Sequence, residues 1–354
     1  MVEPIQWSQN RYHPPYWNDA DRMTTATEVL PVVALDNVSV SFHGEFATNS
    51  LVSDVSFHIQ PGEILGVVGE SGAGKSMVGA AIAGLLEPPL ALTGGQIRCG
   101  GRRIDNLPPE AMRKVRGKEI ATIFQDPLTA LNPVFSIGRQ LIETIVEHAD
   151  LRGANARRDA IDLLAQVGVP SAEQRLSSFP HEFSGGMRQR VVIALALAGR
   201  PKLIIADEPT TALDVSIQGQ IITLLRELCL KRGTAIMLVT HDMGVIAEAA
   251  QRVVVMYAGR IVEVGPVEQV IRRPKHPYTA GLMNSIPKIG ERVRRLPQIA
   301  GAMPRPQDVP EGCSFAARCT HVISDCTRQR PELVGASSHQ AACWLATAMV
   351  EARS

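Results

Sequence analysis

Residues Gly69-Glu70-Ser71-Gly72-Ala73-Gly74-Lys75-Ser76 spell G-x-x-x-x-G-K-S, directly after an apolar run at residues 64–68 and directly before a helix-forming stretch, 75–86, that Pro88-Pro89 ends. A strand, a Gly-rich turn and a helix in that order form the context that gives this motif its meaning. The glycines let backbone N–H groups turn inward around phosphate oxygens, and the helix N-terminus adds a partial positive charge. Lys75 is suited to the β- and γ-phosphates and Ser76 to Mg²⁺. The motif therefore asks for an α/β sheet that binds a nucleoside triphosphate. It does not choose among kinases, GTPases, helicases and other ATPases.

The rest of the pattern agrees with such a sheet. Val38, Val40 and Phe42 alternate with polar residues, and Val55, Phe57 and Ile59 repeat the alternation, as half-buried strands should. Short apolar runs at 120–124, 203–206, 235–240 and 253–257 read as further strands, with a helix at 216–231 between two of them. Strands alternating with helices imply a largely parallel sheet covered on both faces. Residues 137–197 are helical in pattern, with breaks near Gly168-Val169-Pro170 and at Pro180, and look like an insertion at about 127–200. Residues 1–30 lack periodicity and are expected to be an extension. After Pro266 prolines become frequent and long periodic segments end, so a separate, loop-rich unit is expected over 266–354.

The run at 203–206 delivers Asp207 and Glu208 to the carboxyl end of its strand, the edge where open α/β sheets bind ligands. Asp207 is suited to hold Mg²⁺ and Glu208 to act as general base on the attacking water. Shortly before them, Phe183-Ser184-Gly185-Gly186-Met187-Arg188-Gln189-Arg190 places a hydroxyl and two glycines at the start of an apolar helix, a second phosphate-binding helix start.

This segment, together with the phosphate loop and the acidic strand, resembles the ABC ATPase family, whose signature segment it matches. The resemblance implies that Ser184, Gly185 and Gly186 close over ATP held by a partner subunit, in a head-to-tail dimer with two ATP molecules at its interface. It also implies roles for Gln125 (touching Mg²⁺ and water, sensing the membrane partner), Asp214 (coupling the two sites), His241 (contacting the γ-phosphate) and Phe42 (stacking on adenine). No family position is degenerate, so hydrolysis is expected. Met187 stands where many members have glutamine. That version is similar to the peptide-importer branch.

Arg273-Pro274-Lys275-His276-Pro277-Tyr278-Thr279 resembles the start of the domain appended to ATPases of oligopeptide, dipeptide and nickel importers. Cys313, Cys319, Cys326 and Cys343 follow at spacings x5, x6 and x16, and the surrounding residues match that appended domain. Four thiolates suit Zn²⁺ or a [4Fe–4S] cluster, and the spacing lacks the C-x₂-C pair usual for structural zinc. The resemblance implies the cluster. Free or disulfide-linked cysteines remain the third possibility. His321 and His339 are read as surface histidines, and Cys99 and Cys229 as packing residues.

The expected architecture is thus an ABC-type core over 31–265, a mostly parallel sheet plus an antiparallel β subdomain and a helical insertion, followed by a Cys-rich unit. A net charge of +1 gives no reason to expect nucleic acid. No run approaches the roughly 18 apolar residues a membrane span needs, and the N-terminus has no signal-peptide core. Membrane association is then expected through partners, on the cytoplasmic face of the inner membrane. The resemblance supplies those partners: a second, F-type ATPase subunit beside this D-type one, two transmembrane permease subunits and an extracytoplasmic substrate-binding protein. Peptides are the expected cargo, with nickel chelates or glutathione as alternatives within the family. A non-transport ABC ATPase would carry two cassettes or a long coiled coil, and neither is present.

Overall fold

The computed structural model describes residues 29–44, 48–211, 213–286, 298–336 and 338–346. Most of the expected N-terminal extension lies outside the described residues. Two sheets organise the chain. The first is antiparallel, with strands β1 (Val33–His43), β2 (Thr48–Ile59), β4 (Leu90–Cys99) and β5 (Arg102–Arg103) in the order β2-β1-β4-β5. The second has eight strands and includes β3 (Ile64–Val68), β6 (Ile120–Ile123), β7 (Leu203–Asp207), β8 (Ala235–Thr240), β9 (Arg252–Tyr257), β10 (Arg260–Pro266), β11 (Val334–Ala336) and β12 (His339–Ala341). Its order is β11-β12-β10-β9-β3-β8-β7-β6. Strands β6, β7, β8, β3 and β9 run parallel, whereas β10, β12 and β11 extend the edge antiparallel.

The parallel strands are apolar on both faces because both are covered. Alternate residues feed two cores. Ile64, Val68, Ile204, Ala206, Ile236 and Leu238 point into one, which packs against helices. Leu65, Val67, Leu203, Ile205, Met237 and Val239 point into the other, which packs against the antiparallel sheet. The helices are α1 (Lys75–Ala83), α2 (Pro109–Val115), α3 (Pro127–Ala130), α4 (Ile137–His148), α5 (Gly153–Gln166), α6 (Ala172–Arg175), α7 (Gly185–Ala198), α8 (Val215–Arg232), α9 (Met243–Ala249), α10 (Val267–Arg272), α11 (Pro277–Asn284) and α12 (Ser324–Arg328). The stretch from α3 to α7 contains no strand; it breaks near Gly168 and Pro180 as expected, and also between α4 and α5, where Asp150 and Gly153 take left-handed backbones that the pattern did not announce. An α/β fold of mixed sheets and helices is what the sequence led us to expect.

The segment after β10 contributes to the main sheet. Strand β12 pairs with β10 through Glu263 opposite Ala341 and Val264 opposite Gln340. Fully buried Glu263 accepts the backbone N–H groups of Lys275 at 2.8 Å and His276 at 2.9 Å and the Nε2–H of His339 at 2.7 Å. His339 is therefore not the surface histidine expected from sequence. It is buried, because it supplies a third donor to a carboxylate that has no access to water. Burial pushes the His276 imidazole down to about 4, against the pull of Glu263. The neutral ring accepts the Tyr278 N–H at Nδ1, 3.0 Å away, and so caps α11. No helix among the described residues is long and apolar enough to cross a membrane.

Candidate functional site

The site lies where β3, β6, β7 and β8 end together. Strand β3 delivers the chain into the loop 69–76, and α1 begins at Lys75. Gly74 precedes that helix with φ +95°, a conformation that favours glycine. At Gly69 a side chain has no room: a Cβ would lie 2.2 Å from the Met256 carbonyl oxygen. The Lys75 ammonium is buried inside the loop and donates to the carbonyls of Gly69 at 2.8 Å and Glu70 at 3.0 Å. Burial lowers its pKa, while the carboxylates of Glu208, Asp207 and Glu70 pull it back up.

Strand β7 ends at Asp207, whose Oδ1 accepts the Ser76 hydroxyl at 3.0 Å. Burial raises the pKa of Asp207, the Ser76 bond opposes this, and the Glu208 charge adds to it. Glu208 follows with φ +46°, a left-handed backbone at a non-glycine residue, held by its N–H to the Val239 carbonyl at 2.9 Å. Its carboxylate gathers three donors. Oε2 accepts from Thr211 Oγ1 at 2.8 Å and Gln125 Nε2 at 3.2 Å, and Oε1 meets His241 Nδ1 at 3.1 Å. Burial tends to raise the pKa of Glu208, but the bonds from His241 and Thr211 and the charge of Lys75 outweigh it and hold the group below its ordinary value.

The structure thus joins Lys75, Ser76, Asp207, Gln125, Glu208 and His241 at one sheet edge. Sequence reasoning missed Thr211. A hydroxyl three residues after the second acid was the available signal. Phe42 stands near the end of β1, partly exposed, opposite Asn49 and Leu90. Ser184 caps α7, its Oγ accepting the Met187 N–H at 3.4 Å, and Ser184 and Gly185 face solvent. Asp214 precedes α8 without a side-chain cap, next to Val215, which is 83% exposed. Among the described residues, no hydrogen bond connects Phe42, Ser184 or Asp214 to the loop 69–76 or to Glu208.

A second cluster lies in the C-terminal segment. Cys313, Cys319, Cys326 and Cys343 line one small pocket with His276 and His321. Among the described residues none of the four forms a disulfide, nor do Cys99 and Cys229. Burial pushes the Cys313 thiol up to about 11, and it raises Cys319 and Cys343 as well. Among the described residues, no three or more His, Cys, Asp or Glu side chains are placed around a single point where they could hold a metal ion. A single zinc ion, with its sulfurs about 2.3 Å away, does not fit the side chains as they stand. Among the described residues no ligand set is formed for an iron–sulfur cluster either, whose irons take one thiolate each.

Comparison with known proteins places these features. A family model described as ABC transporter matches residues 52–211, and one described as oligopeptide/dipeptide transporter, C-terminal region, matches 262–326. A probable peptide ABC transporter ATP-binding protein of Sinorhizobium fredii is 47% identical over 332 residues, 93% of this chain and 99% of that one. The dipeptide transport ATP-binding protein of Bacillus subtilis is 44% identical, covering 89% of this chain and 94% of its own. The dipeptide transport ATP-binding protein of Escherichia coli is 43% identical over 86% of this chain and 93% of that one. Among solved structures, a dimeric bacterial ABC transporter cassette superposes with a TM-score of 0.59 at 27% identity, over 66% of this chain and 98% of that one.

Proposed function

The chain belongs to the ATP-binding subunits of ABC transporters, in the branch that imports peptides, and from that membership we propose how its residues turn over ATP. It binds and hydrolyses ATP, and hydrolysis powers peptide import. The observation that carries the mechanism is the carboxylate of Glu208, with three donors on its two oxygens, one residue from the Ser76–Asp207 pair.

The loop 69–76 cradles the ATP phosphates with its backbone N–H groups and with Lys75, which lies within the loop on the Gly69 and Glu70 carbonyls. Ser76 and Asp207 present a hydroxyl and a carboxylate, hard oxygen donors that fit Mg²⁺, and Gln125, bonded to the adjacent Glu208, is the third candidate. Magnesium held by these groups would offset the negative charge of the phosphates. Glu208, ionised through its donors, takes the proton of the attacking water. His241 holds that carboxylate and faces the γ-phosphate. Phe42 stacks on adenine. The exposed start of α7, with Ser184, Gly185 and Gly186, closes over ATP in a second ATPase subunit. Asp214 and exposed Val215 lie at that interface. We take the second subunit to be an F-type relative in a head-to-tail heterodimer.

The chain divides into an ATPase unit at 31–265, with a helical insertion at 127–200, and an appended unit at 266–354. Two permease subunits dock near Gln125 and the helices after it, where Phe124 and Val134 are exposed, and an external binding protein delivers the peptide. Through them the chain sits on the cytoplasmic face of the membrane. The four C-terminal thiols are assigned to a [4Fe–4S] cluster, supported by their sharing one pocket.

The decisive assay is ATP turnover by the reconstituted complex carrying Glu208→Gln. A general base is worth about 10²–10⁴ in rate, so turnover should fall by at least about a hundredfold while ATP binding persists. Full activity would remove Glu208 from this role. Anaerobic purification with iron and sulfide analysis tests the thiol pocket. A colourless protein with zinc or no metal would refute the cluster and leave the ATPase reading intact.

A further inference from the structure

We propose that Arg318 and Tyr278, both from the segment after β10, are positioning residues for the phosphate-binding loop and set ATP affinity through Glu70. The inference rests on the reading that this loop holds ATP.

Glu70 is the second residue of the loop, and it is held at three points. Its carboxylate accepts Arg318 Nη1 at 3.0 and 3.1 Å. Its N–H donates to Tyr278 Oη at 2.9 Å. Its carbonyl accepts Lys75 Nζ at 3.0 Å. Two of those three partners come from positions 208 and 248 residues along the chain.

The partners are the fixed side of these contacts. The Arg318 side chain is 6% exposed and that of Glu70 is 31% exposed. Arg318 Nε donates to the Ala300 carbonyl at 2.9 Å and Nη2 to the Ile299 carbonyl at 3.3 Å, while Nη1 also reaches Tyr257 Oη at 3.4 Å. Its guanidinium lies 5.7 Å from the Tyr257 ring centroid and 5.9 Å from that of Phe315. Tyr278 is fully buried, its ring 4.7 Å from Tyr257 and 5.5 Å from Phe315. A planar fork with this many bonds and faces occupied does not swing, so it fixes the carboxylate it binds.

The consequence reaches the phosphates by two routes. The Glu70 N–H is committed to Tyr278, so Tyr278 helps decide which loop N–H groups remain for the ligand. The Glu70 carbonyl is an anchor of Lys75, so a shift of that peptide moves the lysine that meets the β- and γ-phosphates. Met303 covers the loop from the same segment: a Cβ on Gly72 would lie 3.0 Å from its methyl carbon. These contacts hold the loop alike in the ground and transition states. Their loss should therefore raise KM more than it lowers kcat.

The test measures binding of a fluorescent ATP analogue, with Mg²⁺, to the full-length chain, beside thermal unfolding and turnover in the reconstituted complex. Arg318→Ala and Glu70→Ala should each weaken binding about tenfold, Arg318→Lys less, and Tyr278→Phe several-fold, with kcat at saturating ATP within about twofold. The double variant should bind no more weakly than either single one, because Arg318 acts through Glu70. Binding by folded Arg318→Ala within twofold of the unaltered chain would overturn the proposal, as would effects that multiply in the double variant. If Arg318→Ala does not fold, Glu70→Ala decides, since that carboxylate is partly exposed: unchanged affinity there overturns the inference equally. An unaltered chain that fails to bind the analogue would instead overturn the ATP-site reading on which this rests.

Discussion

Thr211 shows how much one hydroxyl can carry. It donates to the Glu208 oxygen that also receives Gln125, while His241 takes the other oxygen. A hydrogen bond to a charged group is worth about 1.5–3 kcal/mol, and each 1.4 kcal/mol is a factor of ten in rate. Thr211→Val should therefore cut kcat about tenfold and leave ATP affinity unchanged. Stopped-flow or steady-state turnover with a parallel binding titration checks this, and an unchanged kcat would relieve Thr211 of any part in holding the base. The cysteines away from the C-terminal pocket pose a different residue-scale question. Cys99 and Cys229 are buried, and desolvation pushes both thiols up to about 11, with the carboxylates of Glu119 and Glu63 adding to the rise. At pH 8 only about one in a thousand of such thiols is ionised, and the thiolate is the nucleophile. Iodoacetamide followed by peptide mass spectrometry should find both unmodified in the native protein and modified after denaturation.

At the scale of elements, the segment that follows His241 depends on a cap. Asp242 Oδ1 accepts the N–H groups of Gly244 at 2.7 Å and Val245 at 3.4 Å, starting α9 immediately after His241. That helix carries Met243, Ile246 and Ala249 into the core. Asp242→Ala should cost about 1 kcal/mol, read as a shift in the urea midpoint with an unchanged slope. The elements that were legible beforehand share a property. Strands β3, β7 and β8 are continuous apolar runs, and the ends of α8 fall within a residue of the pattern. Those that were missed are masked by local exceptions. Strand β4 is interrupted by Gly94-Gly95, where Gly95 has φ +76° and a Cβ would meet the Asp36 carbonyl oxygen at 2.3 Å. The β9–β10 hairpin turns on Ala258 and Gly259, both left-handed, without the Asn-Gly or Asp-Gly pair that announces such turns. The same division holds for the site. The loop, the acids, Gln125 and His241 lie in short local patterns, whereas Arg318 and Tyr278 reach Glu70 only through the fold.

The whole molecule ties its C-terminal segment to the ATPase sheet more firmly than the composition change after Pro266 suggests. Strand β12 covers the edge of β10, the Ala342 N–H reaches the Val262 carbonyl at 2.8 Å, and Lys275 Nζ donates to the His339 carbonyl at 2.6 Å. Beneath them Glu263, buried within the sheet, is satisfied by Lys275, His276 and His339, all from that segment. Unfolding the segment alone would strand this carboxylate and open a strand edge, costs that accrue while the rest of the sheet stays folded. The full-length chain should therefore unfold calorimetrically in one transition that includes both parts. Glu263→Ala leaves buried donors unpaired at about 1–3 kcal/mol each, so it should lower the midpoint of that transition by several degrees without splitting it. A separate early transition that moves alone in this variant would mean that the segment folds on its own. The phosphate loop would then keep its shape without Arg318 and Tyr278, and the connection drawn here between the thiol-lined segment and ATP affinity would lose its structural basis.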